Sequence, residues 1–130
     1  MEWKYKIDLS DENVFGVIEK ERGVVLSDEF KSLIKEANAA TPDKYTVVVG
    51  NAERVVGAIL SFNKNEQDVD SVFTGLAVVK DNNLIPFAVD PFGNYFCLNA
   101  DSDEVLYWEH ESQETVSSGK KLNDFIDSLY

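Results

Sequence analysis

Apolar positions along this chain switch between a helical and an extended period, and the switches lay out its elements. In SDENVFGVIEKERG, Val14, Val17 and Ile18 recur at one-turn spacing and predict a first helix. Ser10 stands in the N-cap position, acids follow in the first turn, and Gly23 comes just after Lys20 and Arg22, as a helix stop does. LSDEFKSLIKEAN is more regular. Ser27 caps it, and Phe30, Leu33, Ile34 and Ala37 fall at the i, i+3, i+4, i+7 positions of one buried face. Thr41–Pro42–Asp43 reads as the turn that closes this part.

The period then shortens. KYTVVVG and RVVGAILSF are β-branched runs separated by GNAE, which predicts an antiparallel pair on a short turn. Gly57 in the second run marks a bulge or a close approach of two backbones. EQDVDSVFTGLAVVKDNN returns to helical spacing through Val69, Val72, Phe73 and Leu76, although Gly75 weakens the helix and LAVV can also run extended. Strands are predicted at 84–89, 94–98 and 105–109, joined by the turn formers DPFG and NADSD. Pro86 reads as the start or edge of its strand, because it has no N–H for a central ladder. GKKLNDFIDSLY supplies a last helix that buries Leu122, Phe125, Ile126 and Leu129. Helices toward the ends and clustered strands on short turns give an α+β fold, one domain over residues 1–130 with a mainly antiparallel sheet.

Composition narrows the function classes. A 44% hydrophobic and 12% aromatic content sustains one core in 130 residues. No apolar run approaches the ~20 residues that span a bilayer, MEWKYKIDLSDENVF lacks the apolar region of a secretion signal, and a single cysteine forms no internal disulfide. These features predict a cytoplasmic protein without membrane contact. The net charge of −12 disfavours direct nucleic-acid binding. Its distribution is uneven: residues 1–65 hold eleven acids and nine bases, whereas residues 66–114 hold eleven acids and only Lys80. Such a run is either a solvated face or a patch complementary to a basic partner.

Two residues suggest chemistry. Cys97 and His110 could pair as nucleophile and base, but Cys97 sits in NYFCL, where a small thiol packs, and the acidic surroundings oppose a thiolate. His110 is the only histidine, so a multi-histidine metal site is excluded. NADSDE resembles the start of a calcium loop through Asn99, Asp101 and Asp103, yet Glu104 and His110 occupy the positions that need Gly and Glu. The segment is better read as an acid-rich hairpin turn, and no cofactor or metal is expected. Asp90 and Asn94 flank the PFG turn and are suited to capping it, Asp90 equally to partner contact. Trp3, Tyr5, Tyr107 and Trp108 are candidates for the core or a sheet face. An aromatic exposed beside the acids would make an interface anchor.

GVVLSDEFKSLIKEAN, LIPFAVDPFGNYFCLN, VLYWEHE and LNDFIDSLY follow one another in this order. The most specific is IPFAVDPFGNYFCL: an apolar-Pro-Phe-Ala strand, a turn with an acid, then Gly-Asn-aromatic-x-Cys-Leu. With YWEHE, an aromatic–Trp pair followed by acid and His, the series resembles the SUKH superfamily, named partly after a fungal cell-wall synthesis regulator. Leu26–Ser27 replaces that family's common Leu-Pro, and NAATPDKY replaces a Gly-rich segment, both departures lying in the early loops. The resemblance implies a non-enzymatic bacterial immunity protein that blocks a cognate toxin, often a nuclease. An acidic face suits a basic nuclease cleft, which lifts the partner-patch reading over the solvated one. On that reading Asp90, Asp101, Asp103, Glu104, Glu109 and Glu111 contact the toxin, and no residue is catalytic. The alternatives are a regulatory adaptor of the same fold without a toxin, and an enzyme using its acids or Cys97.

Overall fold

The computed structural model describes residues 1–66 and 68–130. Helix α1, Asn13–Arg22, ends as predicted: Gly23 takes φ 69°, in the left-handed region, and its N–H donates to the Glu19 carbonyl at 2.8 Å. Its start and its face differ from the prediction. The Ser10 N–H and hydroxyl both donate to Asn63 Oδ1, at 2.7 and 3.1 Å, so Ser10 ties the N-terminal arm to a distant segment and caps nothing. Phe15 is buried and Val17 is exposed, because the inward stripe runs Val14, Phe15, Ile18, Arg22. Helix α2, Asp28–Ala37, matches in full: Ser27 Oγ accepts the Phe30 N–H at 3.2 Å, and Phe30, Leu33, Ile34 and Ala37 are buried. The third helical segment is shorter than predicted. Helix α3 is Val72–Val78, capped by Ser71 Oγ, and Val69 precedes it. Gln67, inside the predicted segment, lies outside the described residues. Helix α4 is Leu122–Asp127.

Thr41–Pro42 is a strand as well as a turn. As β2 it pairs antiparallel with β1, Trp3–Lys4. β3, Thr46–Val49, and β4, Ala52–Val55, form the predicted antiparallel pair, but the turn is only Gly50–Asn51 and β4 takes Ala52 and Glu53 from the predicted GNAE turn. The run that supplies β4 then divides, since β5, Ala58–Ile59, leaves the hairpin and joins another sheet. Gly57 sits at the break. Its N–H donates to the Val89 carbonyl at 2.8 Å, and a Cβ there would stand 3.1 Å from that same oxygen. A close backbone approach is therefore the reason for this glycine.

The central sheet is antiparallel in the order β5-β6-β7-β8-β9. Its strands β6, Leu84–Val89, β7, Tyr95–Asn99, and β8, Glu104–Trp108, lie within a residue of the predicted ranges. Strand β9, Thr115–Lys121, was not predicted, and it takes Gly119 to Lys121 from the start of the predicted last helix. Its sequence TVSSGKK has one aliphatic residue, since an edge strand half in water needs little apolar surface. Pro86 lies inside β6, paired with β7 where the register steps from Pro86↔Cys97 to Ala88↔Phe96, while β5 on the other side pairs only Ala88 and Val89. Pro86 is therefore not at the start of its strand but at a bulge beyond the end of β5, where a missing N–H is tolerated. Gly75 of α3 packs on this spot, so closely that a Cβ would meet Pro86 Cγ at 2.9 Å.

One face of the sheet meets α1, α2 and α4 through a chain of aromatic rings. Phe15, Phe62, Phe30, Phe87, Phe125, Phe96 and Tyr107 follow one another at centroid spacings of 6.2, 5.9, 6.0, 6.5, 5.6 and 5.2 Å. These spacings lie within the range of favourable tilted and edge-to-face pairs. The opposite face buries a smaller group, Val79, Leu84, Cys97 and Trp108, beneath α3.

Arg22 joins the two sides. It is 8% exposed, and its guanidinium donates to the carbonyls of Asp81, Leu76 and Val79 at 2.8, 2.7 and 2.8 Å. The cation thus satisfies the C-terminal end of α3 where the backbone has no helical partner. Arg22→Ala is expected to cost about 2–4 kcal/mol in urea denaturation, since buried carbonyls lose charged donors. Arg22→Lys should recover only part of this, because an ammonium lacks the planar fork. Loss of less than about 0.5 kcal/mol in Arg22→Ala would show that water replaces the guanidinium freely.

Candidate partner interface

The six acids selected from the sequence separate once folded. Asp101 and Asp103 lie in the β7–β8 turn and Glu104 begins β8, whereas Glu109 and Glu111 lie beyond the other end of that strand. At about 3.4 Å per residue, Asp103 and Glu109 are some 20 Å apart along it. Glu104 is half-buried and accepts a hydrogen bond from the Ser117 hydroxyl across the ladder. Asp90 leaves the list altogether. It is 6% exposed, and its carboxylate is used within the molecule.

That use is specific. Asp90 Oδ1 accepts the N–H groups of Phe92 and Asn94 at 2.8 and 2.9 Å, which makes the capped turn the sequence suggested. Asp90 Oδ2 accepts the Tyr107 hydroxyl and the Asn94 amide. Asn94 Oδ1 accepts the His110 N–H at 2.9 Å and faces its Nδ1 at 2.7 Å, tying the 109–114 loop to the same turn. The Arg54 guanidinium lies 4.5 Å from the Tyr107 ring centroid. Burial, then the hydrogen bond to the Asp90 carboxylate, pushes the Tyr107 phenol up to about 12.

Of the other singled-out residues, Cys97 is fully buried between β6 and β8, and burial pushes its thiol up, away from thiolate chemistry. NADSDE is a hairpin turn in which Asn99 Oδ1 accepts the Asp101 N–H at 2.9 Å. Among the described residues, no three His, Cys, Asp or Glu side chains share a place that could hold a metal ion. Tyr107 and Trp108 are buried and Trp3 is half-buried, but Tyr5 is 84% exposed. Phe92, at the tip of the Asp90 turn, is exposed and lines a cleft with Glu109 and Glu111.

A larger acidic surface forms where α2, α4 and the β7–β8 turn meet. Two adjoining hollows of about 570 and 440 Å³ share Glu29, Leu122 and Asn123. Together they make a groove with Trp3, Leu33, Leu122 and Ile126 among its apolar lining. Its acids are Asp28, Glu29, Glu36, Asp101, Asp103, Asp124 and Asp127, and Lys121 is its one basic side chain. Asp28, Glu29 and Glu36 escaped the sequence reading because the first half of the chain is nearly neutral in total. Helical geometry separates that neutrality into faces. Lys31 and Lys35 turn toward α1, pairing with Glu19 at 3.6 Å and Glu12 at 3.0 Å, and leave the acids of α2 on the groove side. The spacing of Asp28, Ser32 and Glu36 against Lys31 and Lys35 was the available signal.

A family model described as SMI1-KNR4 cell-wall, of the SUKH group, matches residues 12–126. That range holds both the Asp90 turn and most of the groove. A search of curated proteins finds no match.

The raised Tyr107 phenol has a measurable consequence. The folded protein holds this proton above the ordinary tyrosine value of 10, so the interaction stabilises fully below pH 10 and is lost as the pH rises toward about 12. Phenolate absorbance should show a late-titrating tyrosine that Tyr107→Phe removes, and that variant should lose less stability between these two pH values. A late phase left unchanged in the Tyr107→Phe variant would refute the buried Tyr107–Asp90 bond.

Proposed function

The chain belongs to the SMI1-KNR4 family of SUKH proteins, and on that footing we propose that it is an immunity protein whose acidic groove captures and blocks a basic toxin. The observation that carries this reading is the groove's composition: seven carboxylates and one lysine around apolar side chains. The rim attracts a cationic surface from a distance and speeds encounter, while the lining offers area to bury once docked. A nuclease presents such a cationic cleft to the phosphates of its substrate, and a protein seated there excludes them. The proposed action is steric and electrostatic, takes place in the cytoplasm and uses no catalytic residue. The family's cell-wall description favours a second reading, a regulatory adaptor that uses the same groove for an endogenous basic partner.

Co-expression and pull-down with the product of the adjacent gene tests the first reading. Binding and protection are expected, and failure with every neighbouring toxin would leave the adaptor. The groove is tested with Glu36→Lys, Asp101→Lys and Asp127→Lys, which avoid the helix-favourable acids in the first turn of α2. The triple variant should associate at least about tenfold more slowly at low salt, with a flatter salt dependence. Glu21→Lys on α1 serves as the control. An unchanged rate and salt response in the triple variant would move the interface elsewhere.

A further inference from the structure

Phe92 is 77% exposed, at the end of the sheet away from the acidic groove. An aromatic at a turn tip would ordinarily be mobile, but this turn is fastened to the core. Besides the two N–H groups received by Asp90 Oδ1, the Asp90 N–H donates to the Asn94 carbonyl at 2.9 Å. The Tyr107 hydroxyl then binds Asp90, and the Tyr107 ring is the last in the buried aromatic chain. Phe92 is therefore displayed by a rigid support, which lowers the ordering cost of any contact it makes.

Beside it lies a cleft of about 260 Å³, lined by Phe92 with Arg54, Asn94, Tyr107, Glu109, His110 and Glu111. That is below the roughly 300–1,000 Å³ of small-molecule pockets and suits a single side chain. The polar groups indicate which. Arg54, stacked on Tyr107, brings one cation to the cleft, and Glu109 and Glu111 bring two carboxylates, so the cleft is net negative beside the exposed Phe92 ring. A ring face flanked by carboxylates favours a guanidinium or ammonium group.

We propose that Phe92, Glu109 and Glu111 form a second contact, which receives an arginine or lysine side chain of the protein partner. The inference rests on the reading that the partner is basic. It adds that the partner engages both ends of the sheet, with the groove governing encounter and Phe92 slowing release.

The experiment uses the full ¹⁵N-labelled chain and a hexa-arginine peptide, followed by amide chemical shifts. Two sets of shifts are expected, one in the groove around Glu36 and Asp101 and one over residues 92–94 and 109–111. Phe92→Ala, exposed and so without consequence for folding, should weaken the second set about two- to fivefold and spare the first, while Phe92→Tyr retains both. Glu109→Gln with Glu111→Gln should also weaken the second set alone. Groove shifts without turn shifts would overturn this inference and leave the groove standing; turn shifts without groove shifts would do the reverse. Turn shifts indifferent to Phe92→Ala, or produced equally by an uncharged phenylalanine-containing peptide, would also overturn it.

Discussion

The packing of Phe87 between Phe30 and Phe125 is the constraint on which the rest of this molecule depends. Strand β6 supplies Phe87, α2 supplies Phe30 and α4 supplies Phe125, so three elements far apart in sequence meet on one side chain. From there the ring chain runs one way to α1 through Phe62 and Phe15, and the other way to Tyr107 through Phe96. Such contacts fix orientation as well as proximity, because the rings prefer tilted and edge-on placement. Both candidate contact surfaces hang on this chain. The groove is the outer crease between α2 and α4, and the Phe92 turn is held by the hydroxyl of the last ring.

Polar groups complete the frame at points the rings do not reach. Arg22 closes the end of α3 by donating to three carbonyls, a role with no need for a carboxylate partner. Asn38, fully buried, joins the N-terminal arm to the segment before α3 by donating to the Ile7 carbonyl and accepting the Phe62 N–H. Asn63 does the same for Asp8 and Ser10. Each is a buried polar group whose hydrogen bonds are met inside the fold, and each fixes which loop lies against which helix.

The acidity of the chain gains meaning only through this frame. A count along the sequence places nearly all the excess charge in residues 66–114. In space that segment spreads over both ends of the sheet. Its Asp90 is internal, its Glu104 bonds across a ladder, and only Asp101 and Asp103 reach the groove. The remaining groove acids come from α2 and α4, which lie in the stretches 1–65 and 115–130, whose net charges are only −2 and 0.

The α+β class, the whole of α2, the strands of the LIPFAVDPFGNYFCLN stretch and the packing role of Cys97 were legible in the sequence. Each rests on local information: a period of 3.6 or 2, a cap, or a turn former whose effect is felt within a few residues. Strand β9 was not legible, because its pairing with β8 substitutes for apolar content. Nor were the inward turn of Phe15, the exposure of Val17 or the bulge that admits Pro86, since each depends on what packs against the element. The same holds for the interface. Sequence alone determined that this protein is acidic and, to within a residue, where α2 and the strands β6, β7 and β8 begin and end; only tertiary packing decided which carboxylates share a surface. Neighbours on a helix lie 100° apart and the ends of a five-residue strand lie more than 10 Å apart, so distance along the chain is no guide to distance between charges.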